Sequence, residues 1–245
     1  MTELILLNWT EISKNIKDRG YFHNLIDKTN SIDMVKLSKE ISDYDTKNST
    51  NIMRENVKAL IKKCRAKDMP LLGDIIYIHG RKNKTKILEE NIDALINNFS
   101  NDDILGLMQG LSRYDEEHRT KLLEDNFKKL TEKCSDWSVD NLISVLSGHD
   151  KNNGTNILEE KVGELIKRCK DYAIHLIICR LIEYDMRNGS KLLKDNFQSL
   201  IYRYDVIHSQ YMMKLILIYN KKNKDDLVLP NRSIDQEKNQ NEMER

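Results

Sequence analysis

Apolar positions along the chain fall into columns that recur every 35 residues. Met53, Leu88, Leu123, Leu158 and Leu193 form one column, Val57, Ile92, Phe127, Val162 and Phe197 a second, and Leu60, Leu95, Leu130, Leu165 and Leu200 a third. Their mutual spacing of i, i+4, i+7 puts all three on one face of a helix. Upstream of each triplet, Leu37, Leu72, Leu107, Leu142, Ile177 and Met212 share one register, with Ile41, Ile76, Leu111, Leu146, Leu181 and Ile216 four residues on. This predicts a second kind of helix preceding the first. Between the two lie the polar stretches DTKNS (45–49), GRKNK (80–84), DEEHR (115–119), DKNNG (150–154) and DMRNG (185–189), which read as five-residue loops by composition.

A lone helical pair of this kind cannot bury its apolar face, so successive pairs must pack in series. The expected fold is all-α, a right-handed α-solenoid of about six helix-turn-helix repeats with a 35-residue period. Its expected limits are 1–29 (an atypical capping repeat), 30–64, 65–99, 100–134, 135–169, 170–204, a truncated repeat 205–229, and a disordered polar tail 230–245. The stretch TKLLEDNFKKLTEKC (120–134) returns 70 residues later as SKLLKDNFQSLIYRY (190–204), which points to duplication of a two-repeat unit.

Polar and aromatic positions recur with the same period. A ring stands at Trp9, Tyr44, His79, Tyr114, His149, Tyr184 and Tyr219, read as a plug at the end of each first helix. Thr50, Thr85, Thr120, Thr155 and Ser190 are favoured helix N-cap types, whose side-chain oxygen would accept from a first-turn amide. Asn56, Asn91, Asn126 and Asn196 occupy helical positions that asparagine fills poorly, so the expectation is a ladder of hydrogen bonds between repeats. Cys64, Cys134 and Cys169 share a column with Phe99 and Tyr204, which argues for a structural apolar role. His175 and Cys179 at i, i+4 lack the further ligands of a zinc site.

Charge and chemistry narrow the function. Lys+Arg number 40 against 39 Asp+Glu in 245 residues, giving a net charge of +1. The basic excess of a dedicated phosphate-backbone binder is therefore missing. Metal, nucleophile-elbow and phosphate-loop signatures are absent, so neither an enzyme nor a cofactor is expected. The short apolar run near Met1 and the lack of long apolar segments predict a soluble, cytoplasmic protein without a membrane partner.

The segment SNDDILGLMQGLSRYDEEHRTKLLEDNFKKLTEKC (100–134) carries a leucine-spaced first helix, a terminal tyrosine, a polar loop and a leucine-rich second helix. It resembles units of the octotricopeptide and heptatricopeptide type, and more loosely the pentatricopeptide class. That resemblance implies a helical-hairpin solenoid and an association with RNA, although no RNA-reading residue carries over to a position here. The first helices, expected by that analogy to line the concave face, offer Asp102, Asp103, Gln109 and Ser112 in one repeat and Asp136, Asp140, Asn141 and Ser144 in the next, a groove whose carboxylates would repel phosphates. Asp103, Gln109, Asn141 and Ser144 are the candidate binding positions. The expected partner is accordingly a protein or peptide held on the concave face, with RNA as the alternative. Lys128, Lys129, Lys133, Lys167 and Arg168 are expected on a solvated outer face.

Overall fold

A computed structural model describes residues 19–203 and 209–228, so Trp9, Tyr204, most of the N-terminal capping segment and the polar tail lie outside the described residues. Among the described residues there are fourteen α-helices and no strand. They are α1 (Arg19–Lys28), α2 (Met34–Asn48), α3 (Ile52–Lys63), α4 (Met69–Asn83), α5 (Ile87–Glu90), α6 (Ile92–Asn98), α7 (Ile104–His118), α8 (Leu122–Asp125), α9 (Phe127–Lys133), α10 (Val139–Asn153), α11 (Ile157–Arg168), α12 (Ile174–Asn188), α13 (Leu192–Tyr202) and α14 (Ser209–Asn223). Three single 3-10 turns, Ala66–Asp68, Asp136–Ser138 and Asp171–Ala173, precede α4, α10 and α12. No helix among the described residues is long and apolar enough to cross a membrane.

Contacts divide the chain into two units, Met1–Lys133 and Cys134–Arg245. In the first, α2 packs on α4 and α4 on α7, while α1 packs on α3 and α3 on α6. In the second, α10 packs on α12 and α12 on α14, with α11 against α13. Every described residue of the five apolar columns is buried. Each such burial contributes about 1.5–3 kcal/mol relative to exposure, which is why those columns tolerate so little variation in chemistry.

The polar stretches are not loops. In all five, the first helix runs on through four of the five residues and ends only at a left-handed residue: Ser49, Lys84, Arg119, Gly154 and Gly189, with φ between 54° and 70°. Two residues then suffice to reach the next helix. A left-handed conformation costs a side-chain-bearing residue about 1–2 kcal/mol, and glycine avoids the cost. Lys84→Gly and Arg119→Gly should therefore each raise stability by about 1 kcal/mol, read as a higher urea midpoint at unchanged m-value. Glycine's extra freedom in the unfolded chain offsets part of that gain.

The second helix also departs from expectation in two hairpins. It is interrupted at Asn91 (φ −125°, ψ 13°) and at Asn126 (φ −107°, ψ 7°), dividing α5 from α6 and α8 from α9. Here Asn91 and Asn126 donate from Nδ2 to the carbonyls of Ile87 and Leu122, four residues back. Asn56 and Asn196 make the same bond to Ile52 and Leu192 inside unbroken helices, so that bond alone does not cause the break. The asparagine column thus spends its Nδ2 donors within its own helix, not on the expected ladder between repeats, and Asn91 Oδ1 is left buried without a partner among the described residues.

Lysine and arginine near the ends of the second helices have a structural task. Lys63 Nζ donates to the carbonyls of Ile26 (2.7 Å) and Asp27, closing the end of α1. Lys133 Nζ does the same at Ile96, Asn97 and Phe99 (2.7–3.0 Å), closing α6. In the second unit Arg168 reaches Cys134 O (2.7 Å), and Arg203 reaches Ile166 O (2.7 Å) and Cys169 O. A cation at the carbonyl end meets both orphan acceptors and the negative end of the helix dipole. Lys133 and Arg168 are therefore committed to neighbouring helix ends and are not part of a freely solvated face.

Candidate functional site

The first polar cluster of interest is internal. Asp45, Asp115, Asp150 and Asp185, each the first residue of a stretch read as a loop, are buried, with 5% exposure or less. The two carboxylate oxygens of each accept the first amides of the following helix: Ile52 and Met53, Leu122 and Leu123, Ile157 and Leu158, Leu192 and Leu193, at 2.8–3.0 Å. The hydroxyls of Thr50, Thr120, Thr155 and Ser190 donate to the same carboxylates. The cap is therefore an aspartate seven and eight residues upstream, and the Thr/Ser column supports it as donor instead of capping by itself.

The ring column completes the cluster. Tyr184 and Tyr219 donate from their hydroxyls to Asp150 (3.3 Å) and Asp185 (3.0 Å), one hairpin earlier. His79 approaches Asp45 (Nε2–Oδ2 3.9 Å) and hydrogen-bonds Ser42 Oγ through Nδ1 (3.2 Å). Burial lowers the His79 pKa, against the pull of Asp45, and burial first, then the neighbouring carboxylates, raises the Tyr184 and Tyr219 phenols. His79, Tyr114, His149, Tyr184 and Tyr219 are all buried and Tyr44 is half-buried. No row of open ring faces is on offer here, and the network is an internal joint between hairpins.

The hairpin that begins with α4 lacks its aspartate. Gly80 takes the place, Thr85 Oγ1 is buried with no hydrogen-bond partner, and the Tyr114 hydroxyl turns to Glu89 (2.9 Å). Tyr114 packs edge-on to Tyr77 (centroids 6.1 Å) and stacks on His118 (4.1 Å). Tyr77 is half-buried, and burial followed by its hydrogen bond to Glu117 pushes its phenol up.

Beside this pair of tyrosines, α4 and α7 part to leave a cavity of about 270 Å³ within the first unit. Leu88, Phe99, Leu107 and Leu111 form its apolar floor, and Asp74, Tyr77, Gln109 and Arg113 stand around it. Pro70 and three helical glycines, Gly73, Gly106 and Gly110, complete the lining. Gly73 is closely packed, since a Cβ there would lie 3.2 Å from the Phe99 ring. Gly106 and Gly110 are different: a Cβ on either meets nothing within 4 Å. A mid-helix glycine costs about 1 kcal/mol relative to alanine, and equivalent positions elsewhere carry Leu71, Asn141 and Leu176, or Ile75, Val145 and Arg180. The opening at α7 is thus made by omitting side chains that the fold would accept.

The rim is chemically two-sided. On α4, Leu71 (55% exposed) and Ile78 (45%) flank Asp74 along one stripe. On α7 the exposed neighbours are Gln109 and Arg113. Neither Asp74 nor Arg113 makes an ion pair or hydrogen bond among the described residues. Several other charges are engaged. Arg54 pairs with Glu90, Lys129 with Asp93 (2.6 Å), Arg81 with Glu117 (3.8 Å), and Lys194 with Asp225.

Of the four binding positions predicted from sequence, Gln109 lies on the cavity. Asp103 instead bonds Ser100 (2.6 Å) at the start of α7, and Asn141 and Ser144 are exposed on α10 in the second unit. Asp74, Tyr77, Arg113 and the two open glycines were not among the positions predicted, although two glycines at i, i+4 inside a helix, where every other repeat carries a side chain, are a readable sign. Cys64, Cys134 and Cys169 are buried free thiols, and burial pushes Cys64 up to about 11, so it is a protonated core group at neutral pH. No cluster of three or more His, Cys, Asp or Glu among the described residues is placed to hold a metal ion.

Compared with protein-family models, with curated proteins and with solved structures, the chain matches none.

Proposed function

We propose that the chain is a non-enzymatic binding module, a right-handed solenoid of helical hairpins that holds a protein or peptide segment along the exposed face of its first helices. The solenoid reading is supported within each unit by first helices packing in chain order, and in the second unit by ring-to-aspartate bonds that join one hairpin to the next. Binding is supported by the contrast between faces. Buried columns repeat, whereas the exposed first-helix positions change from hairpin to hairpin, as at Leu71, Gly106, Asn141, Leu176 and Tyr211. An array with varied exposed positions on a constant frame is suited to contact an extended partner.

The observation that carries the choice of partner is the near-neutral charge, 40 Lys+Arg against 39 Asp+Glu, together with the engagement of a part of those cations inside the fold. Lys63, Lys133, Arg168 and Arg203 close helix ends, and Arg54, Arg81, Lys129 and Lys194 pair with carboxylates. Cations already matched to acids or carbonyls release few counterions on meeting a phosphate backbone. A pool of single-stranded RNA titrated against the purified chain at low and at physiological salt should show no saturable binding. Saturable binding that falls along a steep salt slope would overturn the protein-binding reading in favour of RNA.

A further inference from the structure

We propose that the cavity between α4 and α7 receives one large apolar side chain of a peptide segment, which carries a basic residue to Asp74 and an acidic residue to Arg113. This rests on the reading that the first-helix face binds a protein or peptide, and specifies where and how.

Size comes first. Cofactor and drug-sized ligands occupy pockets of about 300–1,000 Å³, whereas this cavity measures about 270 Å³ and is open to one side. It has room for a single protruding side chain. Its floor is apolar, so an aliphatic or aromatic group is the one that gains by entering.

The rim then limits what surrounds that side chain. Asp74 and Arg113 have no partner among the described residues, and they sit on opposite helices, one on each side of the opening. A ligand of one sign would satisfy one group and meet the other with repulsion. A segment with one charge of each sign beside a central apolar residue satisfies both. Leu71 and Ile78, exposed on the same stripe of α4 as Asp74, extend the apolar contact along that side, while Gln109 offers an amide to peptide groups on the other. Because Gly106 and Gly110 bring the backbone of α7 to the surface, the partner can approach α7 more closely than it could approach α10 or α12.

The absence of packing contacts at Gly110 makes the test clean. Gly110→Leu places a side chain into open space and replaces a poor helix former by a good one, so the variant should melt no lower than the parent. A library of randomised displayed peptides, selected on the intact chain, should yield sequences with an aliphatic or aromatic residue flanked by a basic and an acidic one. Fluorescence anisotropy with a selected peptide should show Gly110→Leu weakening binding by about tenfold or more, the loss of one well-seated anchor. Asp74→Asn should remove the preference for the basic residue alone, and Arg113→Gln that for the acidic residue alone. Selected peptides that bind Gly110→Leu as tightly as the parent would overturn the cavity while leaving peptide binding elsewhere intact. Failure to enrich any peptide would overturn both readings together.

Discussion

Asp185→Ala is expected to destabilise the second unit by about 3 kcal/mol. The native carboxylate, fully buried, accepts from the amides of Leu192 (2.8 Å) and Leu193 (2.9 Å), from the hydroxyl of Ser190 and from the hydroxyl of Tyr219 (3.0 Å). Removing an N-cap acceptor costs about 1 kcal/mol. The remaining donors belong to a closed joint between α12, α13 and α14, and a buried donor left without acceptor costs about 1–3 kcal/mol. Water entering the space left by the carboxyl recovers part of this, which brings the total near the stated value. Asp185→Asn keeps one acceptor and should cost about half as much. Its shape has a precedent in the chain, because Asn220, 35 residues on, accepts the Leu227 amide through Oδ1 (3.2 Å). Urea unfolding followed by circular dichroism reads both variants. An alanine variant within about 0.5 kcal/mol of the parent, the range of an ordinary surface change, would mean that the joint is decorative.

The joint also shows what was legible in the sequence and what was not. Helices and their faces were readable because Leu60, Leu95, Leu130, Leu165 and Leu200 face the same burial each time, and burial selects for residue type. Asp45, Asp115, Asp150 and Asp185 recur just as regularly, yet polar composition placed them in loops. Composition treats a buried, fully bonded carboxylate and a solvated one alike. Thr50 and its equivalents were identified as belonging to the cap, but with the direction of the hydrogen bond reversed, since a hydroxyl can donate or accept and only the position of its partner decides. Likewise Lys133 and Arg168 look like surface cations until the carbonyls they close are seen. At the cavity, Gln109 was found because it sits on an exposed register. The opening itself depends on side chains that are missing at Gly106 and Gly110, and on Phe99 leaning over Gly73 from another helix. A pattern of what is present along one strand of sequence carries little information about a space shared by two helices.

Gly80 provides the converse experiment to the alanine substitution, and Gly80→Asp is expected to stabilise the first unit by about 1 kcal/mol. At this position the joint is incomplete: Thr85 Oγ1 is buried without a partner, and Tyr114 has turned to Glu89. An aspartate would offer an acceptor to Thr85 and to the first amides of α5, as Asp45 does for Thr50, Ile52 and Met53. Opposing this, a Cβ at Gly80 lies 3.1 Å from the Thr85 carbonyl and 3.2 Å from Ile87 Cγ2. The crowding reflects a turn that has closed around the glycine, for Thr85 N stands 2.9 Å from Gly80 O where Thr50 N stands 3.3 Å from Asp45 O. Opening the turn by the same few tenths of an ångström reproduces a geometry the chain already uses. Replacing a helical glycine adds a further gain in propensity, which Gly80→Ala shares. The difference between Gly80→Asp and Gly80→Ala therefore isolates the carboxylate. Gly80→Asp above Gly80→Ala in urea midpoint marks the aspartate as the stabilising element of each joint. Equal midpoints would mean that relief of glycine flexibility is the whole effect, and that Thr85 finds water as good a partner as its neighbours find aspartate.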